Sequence, residues 1–143
     1  MIYLRKRIVL TFLLFSIITS NIAFANNYSI LYNNEKIEFD SEPYAKDERI
    51  MVPLRGIFEK AGAYVSWDNE SKTAFISTSD IETKIIAVKP DSSLAYVGEN
   101  EVLMEVKAEV KNQRIMVPLR FIMDHLGKNV EWDKDTSTVK ISD

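Results

Sequence analysis

One pattern of apolar and polar positions occurs twice along this chain. Ile50 and Val52 flank Met51 as a short β-prone run, which predicts a strand. Pro53 stops that strand, having no N–H to donate, and its fixed φ suits the first position of a helix. Leu54, Ile57, Phe58 and Ala61 then fall at i, i+3, i+4 and i+7, one face of a helix. Gly62 stands where a left-handed residue would end it. Leu119, Ile122, Met123, Leu126 and Gly127 repeat the arrangement 65 residues later. Each helix is about two turns long and would not persist alone in water. Its apolar face must therefore lie on the strands around it.

The agreement extends to identity. Arg-Ile-Met-Val-Pro-Leu-Arg runs from Arg49 to Arg55 and again from Arg114 to Arg120, and the match continues without a gap to Ser77 and Ser142. Such self-similarity indicates an internal duplication. Tyr28 to Tyr32 reads as a strand, Asn33-Asn34 as a turn, and Ile37 and Phe39 as a returning strand. Glu42 to Glu48 is polar, contains Pro43, and is expected to be a loop. After the helix, Val65 and Trp67 alternate with Tyr64 and Ser66. A turn follows over Asp68–Lys72, then a strand over Thr73–Ser77. Ile81 to Val88, apolar on both faces near its end, predicts a strand inside a sheet. Leu94–Val97 and Glu101–Met104 form a hairpin around Gly98, and the second half closes with strands Asn129–Trp132 and Thr138–Ser142. One compact unit of two related halves, about residues 28–77 and 93–142, is expected, each ordered β-β-(β)-α-β-β.

The N-terminus changes the picture of location. Arg5, Lys6 and Arg7 precede an apolar stretch from Ile8 to Ile18, and Ala23-Phe24-Ala25 forms a small-x-small cleavage site. That is a secretory pattern over residues 1–25, with Asn26 as the expected mature N-terminus. The apolar core is shorter than a spanning helix needs, so no integral span is expected after cleavage. Losing those three bases takes the formal charge from −3 to −6. Such acidity argues against a nucleic-acid partner, which demands a basic surface. With no cysteine in the chain, disulfides, thiolate-held zinc and cysteine nucleophiles are excluded.

Val-Pro-Leu-Arg, an apolar helix ending in Gly, then Val-x-Trp-Asp and Thr-x-x-Ile form a combined pattern. It is present as Val52–Arg55 with Val65–Asp68, and as Val117–Arg120 with Val130–Asp133. This resembles the copper amine oxidase N-terminal-like domain, or stalk domain, over nearly all of residues 26–143. The resemblance implies an α+β fold in which antiparallel strands wrap around short helices. It also implies an exported protein, commonly of Gram-positive bacteria. It does not imply copper, quinone or oxidase activity, and it brings no catalytic residue.

The residues agree that chemistry is sparse. His125 is the only histidine, and one imidazole cannot build a copper site; it is expected as an exposed residue of the last helical turn. Asp68 and Asp133 lack the companions of a calcium loop and are expected to bond the backbone two residues on. Arg55 and Arg120 could grip a ligand carboxylate or brace helix to hairpin through Asp68 and Asp133, the favoured reading. Trp67 and Trp132 are expected as core anchors. Tyr64 and Phe75 point away from their own helix where the second half has Asn129 and Lys140. They form either an inter-repeat face, covered by the other half or by the strand ending at Val88, or an exposed ligand platform, with cover favoured. No catalytic, cofactor or metal residue is expected. The function expected is a secreted, non-catalytic binding or structural module of the bacterial cell envelope, with a cell-wall polymer or another exported protein as partner. A small cell-wall hydrolase and an inhibitor of another exported protein are the alternatives.

Overall fold

The computed structural model describes residues 27–78 and 85–143. The expected signal segment and the residues 81–84 of the expected inner strand lie outside the described residues. The first half runs β1 (Ser29–Tyr32), β2 (Glu35–Lys36), β3 (Tyr44–Lys46), β4 (Arg49–Pro53), α1 (Leu54–Lys60), β5 (Ala63–Asp68) and β6 (Thr73–Thr78). β7 (Ile85–Val88) follows. The second half runs β8 (Leu94–Val97), β9 (Asn100–Leu103), β10 (Glu109–Lys111), β11 (Arg114–Pro118), α2 (Leu119–His125), β12 (Asn129–Asp133) and β13 (Thr138–Ser142). The class is α+β, and the strands form three sheets ordered β12-β13-β1-β2, β10-β11-β4-β3 and β5-β6-β7-β8-β9. Among the described residues all pairings but one are antiparallel; β1 and β13 run parallel.

The repeated string builds the centre. β4 and β11 pair antiparallel with Met51 opposite Pro118, Val52 opposite Val117, and Pro53 opposite Met116. Val52 and Val117 are equivalent positions and also each other's partners, so a local two-fold axis passes between them. Strand alternation then sorts the side chains. Val52 and Val117 join the main core, while Met51 and Met116 face the other way and pack with Val106 and Tyr44. Pro53 and Pro118 end their strands with extended ψ (124° and 116°), so each proline is the residue before the first helical turn rather than the first within it.

Each helix closes the core as its sequence periodicity predicts. Leu54, Ile57 and Phe58 of α1, and Leu119, Ile122 and Met123 of α2, are buried. Gly62 and Gly127 take positive φ (76° and 71°), and Lys128 N–H donates to the Met123 carbonyl at 2.9 Å to close the second helix. Both helices pack on β4 and β11, and each also packs on the strand that follows it.

The halves are interlocked by strand exchange. The hairpin β12-β13 of the second half continues into β1-β2 of the first, while β5-β6 of the first half reaches β8-β9 of the second through β7. Two ion pairs cross the axis reciprocally: Arg49 with Glu105, and Arg114 with Asp40. Both are largely solvated, so each contributes at most about 1 kcal/mol; they report the symmetry more than they stabilise it.

Two expectations fail here. The returning strand expected at Ile37 and Phe39 is the two-residue β2, which ends at Lys36. The stretch Glu42–Glu48 is not all loop, because Tyr44–Lys46 forms β3, paired to β4 with Lys46 opposite Arg49. Its turn, Asp47-Glu48, places two non-glycine residues at φ 47° and 61°, the left-handed pair of a type I′ hairpin. A three-residue strand is too short for alternation to reveal, and the turn lacks the glycine that usually marks one.

Candidate functional site

The outer face of the five-stranded sheet carries the residues singled out in the sequence. Phe75 lies opposite Ser66 on one side and Ala87 on the other, and Ala87 lies opposite Tyr96. Two ring-bearing positions thus stand two strand spacings apart, roughly 10 Å, with a small residue between them. The result is a shallow groove of about 430 Å³ whose lining includes Phe75, Ile85, Ala87 and Tyr96. Tyr64 stands on the same face, 68% exposed, and Leu103 at its far edge is 71% exposed. The Tyr96 hydroxyl donates to Glu101 at 2.9 Å, and that bond to a carboxylate raises the phenol's pKa.

Of the two rings expected to be covered, Tyr64 is exposed and Phe75 is half-buried. β7 lies beside β6 within the same sheet and neighbours Phe75, while Tyr64 stands on the edge strand β5, two strands away from β7. The doubly apolar sequence of β7 serves the sheet's middle position instead. Ile86 and Val88 enter the core, and Ala87 forms the floor of the outer groove.

A second concavity of about 420 Å³ lies at β12 and α2, lined by Tyr28, Arg49, Glu105, Leu119, Arg120, Trp132 and others. Trp132 is 41% exposed, and its ring meets that of Tyr28 at 5.9 Å and a 46° tilt. Trp67, its equivalent, is 42% exposed. Neither is the buried anchor expected. Both lie near the ends of the edge strands β5 and β12, where no neighbouring strand covers the outer flank. The half-buried Val65 and Val130 pack against the core from the same strands instead.

The arginine brace is also corrected. Arg55 pairs with Glu59 one helical turn on, at 3.7 Å, while Arg120 lines the groove beside Trp132. The aspartates serve their own turns, as expected: Asp68 Oδ1 accepts from Glu70 N–H at 3.2 Å, and Asp133 Oδ1 from Asp135 N–H at 3.1 Å. Bonds from Ser71 and from Thr136, each with help from backbone N–H groups, hold these two carboxyls below the usual range. His125 is half-buried rather than exposed. Its Nδ1 lies 2.6 Å from the Phe121 carbonyl and its ring 4.5 Å from that of Phe121.

Elsewhere, each resolved carboxyl shift is downward and has a structural donor: Arg114 for Asp40, Arg49 for Glu105, Lys46 for Glu109 and Lys128 for Asp143. Those are the shifts of braces, opposite to what a general acid needs. Among the described residues no group of three or more His, Cys, Asp or Glu side chains is placed to hold a metal, and no helix is long and apolar enough to cross a membrane.

The family model for the copper amine oxidase N-terminal domain matches residues 31–141, from the first strand to the last. The chain belongs to the copper amine oxidase N-terminal domain family. This is a non-catalytic stalk domain family. No curated protein matches the chain. For this stalk domain the sequence located one candidate surface, through Tyr64 and Phe75, and missed Tyr96 on the same face. The signal for Tyr96 was weak: alternation places it outward, but only the sheet order brings it level with Phe75.

Proposed function

We propose that this stalk domain is an exported, non-catalytic binding module of the bacterial cell envelope, using the outer face of its five-stranded sheet as the contact surface. The observation that carries the reading is the exposed set of Tyr64, Ile85, Tyr96 and Leu103 on one sheet face, with the half-buried Phe75 among them. A folded monomer gains nothing from leaving such a face in water, and contiguous apolar surface marks interaction sites. Tyrosine at such a face joins an apolar ring to a polar tip, which suits a polymer of sugar rings. The secretory pattern of residues 1–25 supports export, and the repeated string supports an origin by duplication of one half. The downward carboxyl shifts and the sparse metal-ligating side chains support a role without catalysis.

A second reading has its own observation. Ile85 and Leu103 are aliphatic and exposed, which favours contact with another exported protein. Both readings meet one experiment. The protein and its Y64A/F75A variant are incubated with purified cell wall and with culture supernatant. Retention on wall by the unchanged protein, lost in the variant at unchanged melting temperature, supports the envelope module. A partner captured from supernatant instead favours the second reading. Full retention by the variant would remove the sheet face from either role.

A further inference from the structure

The sheet face takes no account of the groove at Trp132, which differs from it in kind. We propose that this groove is a second ligand site, one that takes a pyranose ring bearing a carboxylate. Four observations converge. First, Trp132 and Tyr28 present two rings at a mutual tilt of 46° over an apolar base that includes Leu119, Val130 and Val139. Aromatic faces of this kind accept the C–H face of a sugar while their polar tips stay wet. Second, Arg120 lines the groove and has no ion-pair partner among the described residues, whereas its equivalent Arg55 is held by Glu59 at 3.7 Å. A guanidinium outside any close ion pair and beside a stacking surface binds a carboxylate in bidentate fashion.

Third, the carboxylate that competes for Arg120 is hydrogen-bonded to another arginine, although the Arg120 charge also acts on it. Glu105, in the same groove, pairs with Arg49 across the two-fold axis. Glu48 remains at the rim, where it can accept from sugar hydroxyls but repels added negative charge. The lining therefore selects one carboxylate on a hydroxyl-rich ring over a polyanion. Fourth, the volume of about 420 Å³ lies in the range of small-ligand sites.

The equivalent position in the other half shows what is specific here. Trp67 is equally exposed, but the residue matching Tyr28 is Ser93, 65 positions on. With Arg55 paired to Glu59, that side lacks both the second ring and a guanidinium outside a close ion pair. The two halves share a framework, and only one has the complete constellation.

The site stands independently of the sheet face and is tested separately. The purified protein is titrated calorimetrically, and by tryptophan fluorescence, with 1,4-linked digalacturonate and with the neutral digalactoside of the same linkage. Polyglutamate serves as a polyanion without rings. The expected result is saturable binding of digalacturonate, about tenfold tighter than the neutral sugar, the scale of one charge-assisted contact, with polyglutamate weaker than both. Arg120→Gln should bring the acid down to the affinity of the neutral sugar while leaving the latter unchanged. Trp132→Ala should weaken both sugars at least about tenfold, and Trp67→Ala should alter neither. Tyr28→Ala, which removes the other ring, carries the stacking test should Trp132→Ala not fold, and is expected to weaken both sugars. Absence of saturable binding, equal affinity for acid and neutral sugar, tighter polyglutamate, or a preference that survives Arg120→Gln would each overturn the proposal. Wall retention through Tyr64 and Phe75 alongside any of those results would leave the sheet-face reading intact.

Discussion

Ser41 offers a direct test of the two-fold architecture. It is buried, and its hydroxyl finds no hydrogen-bond partner among the described residues. An unsatisfied buried hydroxyl costs about 1–3 kcal/mol. The equivalent position across the axis, 65 residues on, is Val106, which is buried to the same extent and packs with Met51 and Met116. One half thus holds a hydroxyl where the other holds two methyl groups. Ser41→Ala removes the orphan oxygen and is expected to stabilise the fold by about 1 kcal/mol. Ser41→Val should gain about 1.6 kcal/mol more, its two buried methyls adding roughly 0.8 kcal/mol each, because the symmetric site already accommodates that shape. Val106→Ser reverses both terms and should cost about 3 kcal/mol. Urea melts at pH 7 measure all three, and thermal melts should move by about 4 °C per kcal/mol. A loss of stability in Ser41→Ala above about 0.5 kcal/mol, beyond the scatter of neutral changes, would refute the reasoning. The hydroxyl would then have a partner. A loss in Ser41→Val alone would refute only the equivalence of the two sites.

Two further outcomes follow from exposure and charge. Phe58 is fully buried, so Phe58→Ala should cost about 3–5 kcal/mol; Trp67→Ala, at a 42% exposed ring, should cost about half that, and denaturant melts showing the reverse order would contradict the rim position of the tryptophan. Asp143 accepts from Lys128 at 2.5 Å, Tyr32 at 2.7 Å and Asn33 at 2.9 Å, and these bonds, Lys128 first, hold its carboxyl well below the usual range. A lowered folded-state pKa gives stability that is present above about pH 4, the unfolded value, and is lost as pH falls through the lowered one. Asp143→Asn should therefore be less stable than the unchanged protein at pH 7, with the gap closing under acid; a gap independent of pH would show that charge is not what ties the last strand to the first hairpin.

The sequence by itself determined what depends on near neighbours. The helices were legible from a 3.6-residue apolar period, a proline before and a glycine after, all set within about ten residues. The Asp68 and Asp133 turns were legible because the side chain bonds its own backbone two residues on. Family membership was legible for the same reason: the string is contiguous. What only the tertiary structure decided is which strands meet. Parallel pairing of β1 with β13 joins positions more than a hundred residues apart, and no local pattern encodes a partner at that separation. The same holds for Val52 against Val117, and for Arg49 against Glu105 rather than any acid of its own half. Side-chain alternation says which face a residue takes, but not whether that face is covered. Tyr64 and Phe75 read as outward from the chain alone, yet the exposure of Tyr64 and the half-burial of Phe75 required knowing that β7 enters the sheet's plane instead of lying across it. Trp67 and Trp132 failed for the complementary reason. Their strand face was read correctly as inward, but each strand lies at the edge of its own sheet, where an inward-facing ring remains half in water.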